Sequence, residues 1–142
     1  MNPVSKILFV CIENSNRSQM AEAFAKMFGK DNVQAFSAGS KPSGKINPKA
    51  VEAMKKIGYD LTKHDSKSLN NFLNEKFDYV ITMGCGDECP FIPATHHLDW
   101  NIPDPKNSEM KEFLQVRNMI GEKVKELLSE ILHASNAHEI YN

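Results

Sequence analysis

The stretch Ile7-Leu8-Phe9-Val10-Cys11-Ile12-Glu13-Asn14-Ser15-Asn16-Arg17-Ser18-Gln19-Met20-Ala21-Glu22 decides the fold. Ile7 to Val10 read as a buried strand and the pattern from Gln19 onward as a helix, which makes Cys11 to Ser18 the connecting loop. Open α/β sheets bind ligands beyond the carboxyl ends of their strands, where this loop lies. A cysteine and an arginine separated by five residues in such a loop set a thiolate inside a cradle for a tetrahedral oxyanion. The backbone N–H groups of Ile12, Glu13, Asn14, Ser15 and Asn16 can turn inward as an anion nest, the helix N-terminus adds partial positive charge, and Arg17 can grip two oxygens. The same field favours the Cys11 thiolate. Ser18 is read either as a hydroxyl donor to that thiolate or as a helix cap. Asn14 suits a turn and can pin the loop through side-chain to backbone bonds. Glu22, one helical turn beyond Ser18, reads as a solvated helix residue or as an orienting group beneath the loop.

Outward from this stretch, strand-like runs recur at Val33 to Ala38, Tyr79 to Met83 and Thr95 to Leu98, with helical patterns between them, the alternation of a parallel α/β sheet. The first helix is predicted over Ser18 to Phe28, with Met20, Phe24 and Phe28 on its buried face and Gly29 as a left-handed stop. Asn47 and Pro48 read as the cap and first residue of a second helix that buries Val51, Met54 and Ile57 and ends at Gly58. A short third helix is predicted near Ser68, with Leu69, Phe72 and Leu73 facing in. The last helix, about Ser108 to Leu132, carries Phe113, Val116, Ile120, Val124, Leu127 and Ile131 as one apolar stripe. The polar tail from His133 to Asn142 is expected to fray. Two irregular segments, Gly39 to Asn47 and Asn101 to Asn107, are too short to link domains.

The whole chain, residues 1–142, therefore reads as one domain, and its 41% hydrophobic content suffices for a core without metal or disulfide staples. With 17 basic and 18 acidic residues, net charge −1, no overall field would hold it on nucleic acid or an anionic membrane. No charged lead precedes an apolar run at the N-terminus, and no apolar run approaches the roughly 18 residues of a membrane span. A monomeric cytoplasmic enzyme without a cofactor is expected. Three cysteines in such a chain argue for reactive or buried thiols rather than a disulfide framework.

The other two cysteines lie in Met83-Gly84-Cys85-Gly86-Asp87-Glu88-Cys89-Pro90, after the third strand. On a helical turn their Cα atoms would lie about 6 Å apart, within reach of a disulfide, while Gly86 argues for a looser loop. A zinc site of Cys85, Cys89, His96 and His97 fits no common module, and adjacent histidines on a strand point to opposite faces, so no metal is expected. Asp104, fixed between Pro103 and Pro105, reads either as a general acid held over a leaving oxygen or as an ordinary turn residue, with Asp99 as the competing carboxylate.

Taken together, Cys11 to Ser18 and Asp104-Pro105 resemble the low-molecular-weight tyrosine phosphatase fold. Cys11 to Ser18 continued by Gln19-Met20-Ala21-Glu22, the Ser37-Ala38-Gly39 turn, Met83-Gly84-Cys85-Gly86 with Cys89-Pro90, and Trp100 before Asp104 are more similar to its arsenate reductases. The resemblance implies a four-stranded parallel sheet flanked by helices. It also implies that Cys11 attacks arsenate held by the loop and Arg17 while Asp104 protonates the departing oxygen. Cys85 then resolves the adduct, and Cys89 moves the disulfide to Cys85–Cys89. The reductant implied is thioredoxin or a low-molecular-weight thiol such as mycothiol. Some members bind potassium through an Asn, a Glu, a Ser and an Asp; Asn14, Glu22 and Ser37 match, but Lys67 stands in the place of the Asp, and its ammonium can replace the ion's charge. Two other readings compete. One is a phosphotyrosine phosphatase, which leaves Cys85 and Cys89 unexplained and would carry tyrosines where Lys106 and Asn107 stand. The other is an oxyanion sensor that turns nothing over.

Overall fold

The computed structural model describes residues 4–85 and 89–141, with side chains through His133. Four strands, β1 (Ser5–Cys11), β2 (Val33–Gly39), β3 (Phe77–Thr82) and β4 (Ala94–Asp99), pair in parallel in the order β2-β1-β3-β4. The helices are α1 (Arg17–Gly29), α2 (Pro48–Lys55) and α3 (Met110–Tyr141).

Strand β1 is central, and its run Ile7 to Val10 is almost wholly buried. Each such side chain contributes about 1.5–3 kcal/mol by leaving water. Alternation sends Ile7, Phe9 and Cys11 to one face, against Met20 and Phe24 of α1 and Phe113, Ile120 and Val124 of α3. Leu8 and Val10 go to the other, against Leu69, Phe72, Phe77 and Val80. Because β2 and β3 lie on opposite sides of β1, the crossovers diverge at its carboxyl end and leave a crevice there, at Cys11.

The last helix buries its whole stripe, Phe113 to Ile131, and Asn47 caps α2 by accepting the Lys49 N–H at 2.9 Å. Several expectations need correction. The segment after Ser68 is a 3-10 turn, Leu69–Phe72, and Leu73 is exposed. Phe28 is 38% exposed; it stacks on Phe24, and the Lys125 ammonium of α3 lies over its ring at 5.3 Å from the centroid. Helix α2 buries Ala50, Ala53 and Met54, leaving Val51 and Ile57 only partly covered. The left-handed residue after α1 is Lys30, at φ 47°, while Gly29 ends the helix where a Cβ would come within 2.4 Å of Val33. The backbone of α3 continues through Tyr141, beyond the expected end at Leu132. Gly86, read as loosening the cysteine loop, lies outside the described residues. Among the described residues, no helix is long and apolar enough to cross a membrane.

Candidate active site

The loop after β1 is shaped from outside by the Gly39 to Asn47 segment. The carbonyls of Cys11, Ile12, Glu13 and Ser15 accept from the N–H groups of Ser40, Lys41, Ser43 and Asn47 at 2.8–3.3 Å. In a trans peptide the N–H points opposite to the C=O, so this strap turns the N–H groups of Ile12, Glu13, Asn14 and Asn16 inward. Gly39 lets the segment pass this close, since a Cβ there would sit 2.5 Å from the Ile12 carbonyl oxygen and 2.9 Å from the Asn14 nitrogen. The role of this strap was not legible from its composition.

Asn14 holds the loop from within. It is fully buried at φ 51°, a left-handed conformation that Asn tolerates better than most residues. Its Nδ2 donates to Ser18 Oγ at 2.8 Å, and its Oδ1 accepts from Gln19 Nε2 at 2.8 Å and from the Lys67 backbone N–H at 2.7 Å. Ser18 Oγ lies 2.8 Å from Cys11 Sγ. Since Asn14 already donates to that hydroxyl, the hydroxyl proton is free to point at the sulfur. Ser18 is the second residue of α1 and its side chain is turned to Cys11 rather than to a cap.

Arg17 is buried, and its Nη1 donates to the carbonyls of Met83 at 2.6 Å and Ile102 at 3.0 Å. Those bonds leave the Nε–Nη2 edge for two oxygens of a ligand. Nη2 lies 3.8 Å from Asp104 Oδ2, and Asp104 lines, with Cys11 and the loop, a cavity of about 110 Å³. The competing Asp99 is instead bonded to Thr82 Oγ1 at 2.6 Å and does not line that cavity. Lys106 spans from the Asp104 loop to Glu13, whose carboxylate oxygens lie 2.9 and 3.1 Å from its ammonium.

Beneath the loop, Glu22 is buried rather than solvated, contrary to one reading of its helix position. Ser37 Oγ donates to its Oε1 at 2.6 Å, Lys26 Nζ donates to its Oε2 at 2.6 Å, and Lys67 Nζ lies 3.7 Å from Oε1. Burial alone would raise the Glu22 pKa, but these partners and His64 outweigh it and hold the pKa below its usual value. His64 itself is pushed down to about 4, chiefly by burial, so at neutral pH it is uncharged and the lysines and Ser37 carry the carboxylate. Two ammonium groups already occupy the surroundings of Glu22, so the Asn14, Glu22, Ser37 and Lys67 set does not fit a potassium ion.

Gln19, His64 and Tyr59 complete the support of the loop, and no local sequence pattern assigns them that part. Gln19 is fully buried; its Nε2 donates to the Asn14 side chain and carbonyl and to the Asp65 carbonyl, and its Oε1 lies 2.9 Å from His64 Nδ1. Because Gln19 accepts there, His64 carries its proton on Nδ1, and Tyr59 OH donates to Nε2 at 2.6 Å. A polar residue between Ser18 and Met20 on the first turn of α1 was the available signal for Gln19; His64, 45 residues further on, had none.

Cys85 and Cys89 are joined by a disulfide with Cα atoms 5.7 Å apart, and Cys11 is a free, buried thiol. Cys85 is buried and Cys89 half-buried, with its sulfur 3.9 Å from the Cys11 carbonyl oxygen. The zinc quartet does not assemble: His96 stacks on Tyr79, His97 stacks on Phe91, and among the described residues no metal-binding cluster occurs.

A free thiol at the carboxyl end of a central strand, ringed by inward N–H groups and a buried arginine, defines the class of oxyanion-loop thiol enzymes. Comparison with known proteins narrows the class. The family model for low molecular weight phosphotyrosine protein phosphatase matches residues 6–137. A glutaredoxin arsenate reductase of a Synechocystis species is 35% identical over 90% of this chain and 99% of its own length. A structure described as an arsenate reductase in the phosphate binding state superposes with a TM-score of 0.82 at 34% identity, over 90% of this chain and 99% of that one. A thioredoxin-dependent arsenate reductase of Corynebacterium glutamicum superposes at 0.79 with 34% identity, over 94% of this chain and 64% of the other. The chain belongs to the low molecular weight phosphotyrosine protein phosphatase family, within its arsenate reductase branch.

Proposed function

We propose that the chain reduces arsenate to arsenite with electrons from its own thiols. The observation that carries this reading is the Cys85–Cys89 disulfide packed against the strand end that bears a free Cys11. Phosphate ester hydrolysis uses neither Cys85 nor Cys89.

In this reading the Cys11 thiolate attacks arsenic(V) held by the loop and Arg17, and an arsenate oxygen leaves as water with a proton from Asp104. The Cys85 thiolate attacks Cys11 Sγ; the As–S bond breaks, its electron pair stays on arsenic, and arsenite departs from a Cys11–Cys85 disulfide. Cys89 then attacks Cys85 and releases the Cys11 thiolate. Two thiols have lost two electrons and one arsenic(V) has gained them. A Cys85–Cys89 disulfide beside a free Cys11 is the state that sequence ends in. Asn14, Ser37, Glu22 and Lys67 act as supports of the loop.

The next reductant must reach a disulfide whose accessible end is Cys89. Phe91, two residues away and 76% exposed, offers an apolar contact, which favours a dithiol protein of thioredoxin type over a small thiol. A cytoplasmic location accords with that supply of reductant. Arsenate turnover, measured on the parent and on Cys11→Ser, Cys85→Ser and Cys89→Ser with thioredoxin and with glutathione plus glutaredoxin, tests the reading. All three variants lose thioredoxin-coupled turnover if it is right. Full activity of both Cys85→Ser and Cys89→Ser rejects the relay.

A further inference from the structure

The cavity beside Cys11 has a buried floor and an exposed rim. Cys11 and Arg17 are buried, whereas the side chains of Glu13 and Asp104, which line the same cavity, are 35% and 45% exposed. Glu13 stands on the oxyanion loop. Lys106 stands on the facing segment, where its backbone N–H donates to Asp104 Oδ1 at 3.1 Å. The Lys106 ammonium reaches both carboxylate oxygens of Glu13, at 2.9 and 3.1 Å. An ion pair therefore joins the two sides of the cavity at the level of its exposed residues.

The size of the cavity gives that pair a consequence. At about 110 Å³ it is smaller than the cavity of about 150 Å³ that holds a single benzene molecule. A small tetrahedral oxyanion has room on the floor. An oxyanion with an aromatic ring attached does not fit, so its ring must lie at the rim, across Glu13 and Lys106.

We propose that the Glu13–Lys106 ion pair is a specificity latch, which leaves the floor open to a bare tetrahedral oxyanion and turns away oxyanions that carry an aromatic group. The proposal rests on the oxyanion reading of the loop. Parting an exposed ion pair in water weakens binding by at most about fivefold. A ring laid over the pair also takes both charges out of water and offers neither a hydrogen bond, which adds to that penalty. Neither effect falls on arsenate or inorganic phosphate, because neither anion has a ring to place there. A loop that the head group of any phosphate ester would suit is thereby kept for inorganic anions.

Protection of Cys11 from iodoacetamide tests the latch on the full chain in its Cys85–Cys89 disulfide form, where Cys11 is the free thiol. Mass spectrometry follows alkylation at pH 7.5 against titrated inorganic phosphate or phenylphosphonate, two anions of similar charge near neutrality. Phosphate protects the parent at a concentration well below that of phenylphosphonate. In the double variant Glu13→Ala with Lys106→Ala, which keeps the net charge, that ratio narrows about fivefold to tenfold because phenylphosphonate binds better. An unchanged ratio overturns the proposal, and so does one that narrows only because phosphate binds worse. Equal or better protection of the parent by phenylphosphonate, the result of a ring stacked on the Lys106 ammonium, also overturns it and does not depend on how the variant folds. If neither anion protects Cys11 in the parent, the oxyanion reading itself fails.

Discussion

Lys67→Met removes one of the two ammonium groups that stabilise the buried Glu22 carboxylate. At 3.7 Å the pair would be worth about 4.5 kcal/mol with an effective dielectric near 20 and about 1 kcal/mol in water. The Lys67 side chain is 25% exposed and Lys26 remains 2.6 Å from the carboxylate, so the net loss belongs toward the lower end, about 1–2 kcal/mol. That corresponds to a fall in Tm of roughly 3–8 °C for a domain of this size. The sign of the pH dependence follows from the lowered pKa of Glu22. Its stabilisation is present above the ordinary carboxylate value and is lost as pH falls through the folded-state value, so parent and variant converge in acid. Urea denaturation of both proteins from pH 8 down to about pH 2, below the ordinary carboxylate range, measures the difference. Turnover of the parent in potassium and in sodium buffers completes the assay, with no difference expected between the two ions. A stability gap that persists undiminished in acid, or a large selective loss of parent turnover in sodium, refutes the reasoning.

Two further substitutions probe the geometry around Cys11. Gly84 has φ 83°, and a Cβ there would sit 3.3 Å from Arg17 Nη1; Gly84→Ala should cost about 1–2 kcal/mol of backbone strain, displace the guanidinium, and lower kcat/KM for arsenate about tenfold or more while circular dichroism is retained. Ser18→Ala removes the hydroxyl from Cys11 and leaves Asn14 Nδ2 without its acceptor, at a cost of about 1–3 kcal/mol in stability by denaturant titration. The same variant should slow alkylation of Cys11 severalfold, and an unchanged rate would remove Ser18 from the chemistry.

The strand, loop and first helix were legible because one short stretch carries both an apolar run and its interruption. The stripe of α3 was legible because six residues repeat the same helical period. What stayed hidden depends on partners distant in sequence. Glu22 has the spacing of a surface residue, and its burial rests on Ser37 and Lys67 arriving from other segments as well as on Lys26 one turn along the helix. Gln19 and His64 meet across 45 positions, which no local pattern encodes. The 3-10 turns at Lys30–Asn32 and Leu61–Lys63, three residues each, are too short to show a repeat. The Gly39 to Asn47 segment showed only turn composition, although its N–H groups orient the oxyanion loop.

The most direct measurement is a single turnover: fully reduced chain mixed with one equivalent of arsenate, quenched, and mapped by mass spectrometry alongside speciation of the released arsenic. One arsenite per chain, a Cys85–Cys89 disulfide and a free Cys11 are the predicted products. Arsenate recovered unchanged with all three thiols still reduced would contradict the account.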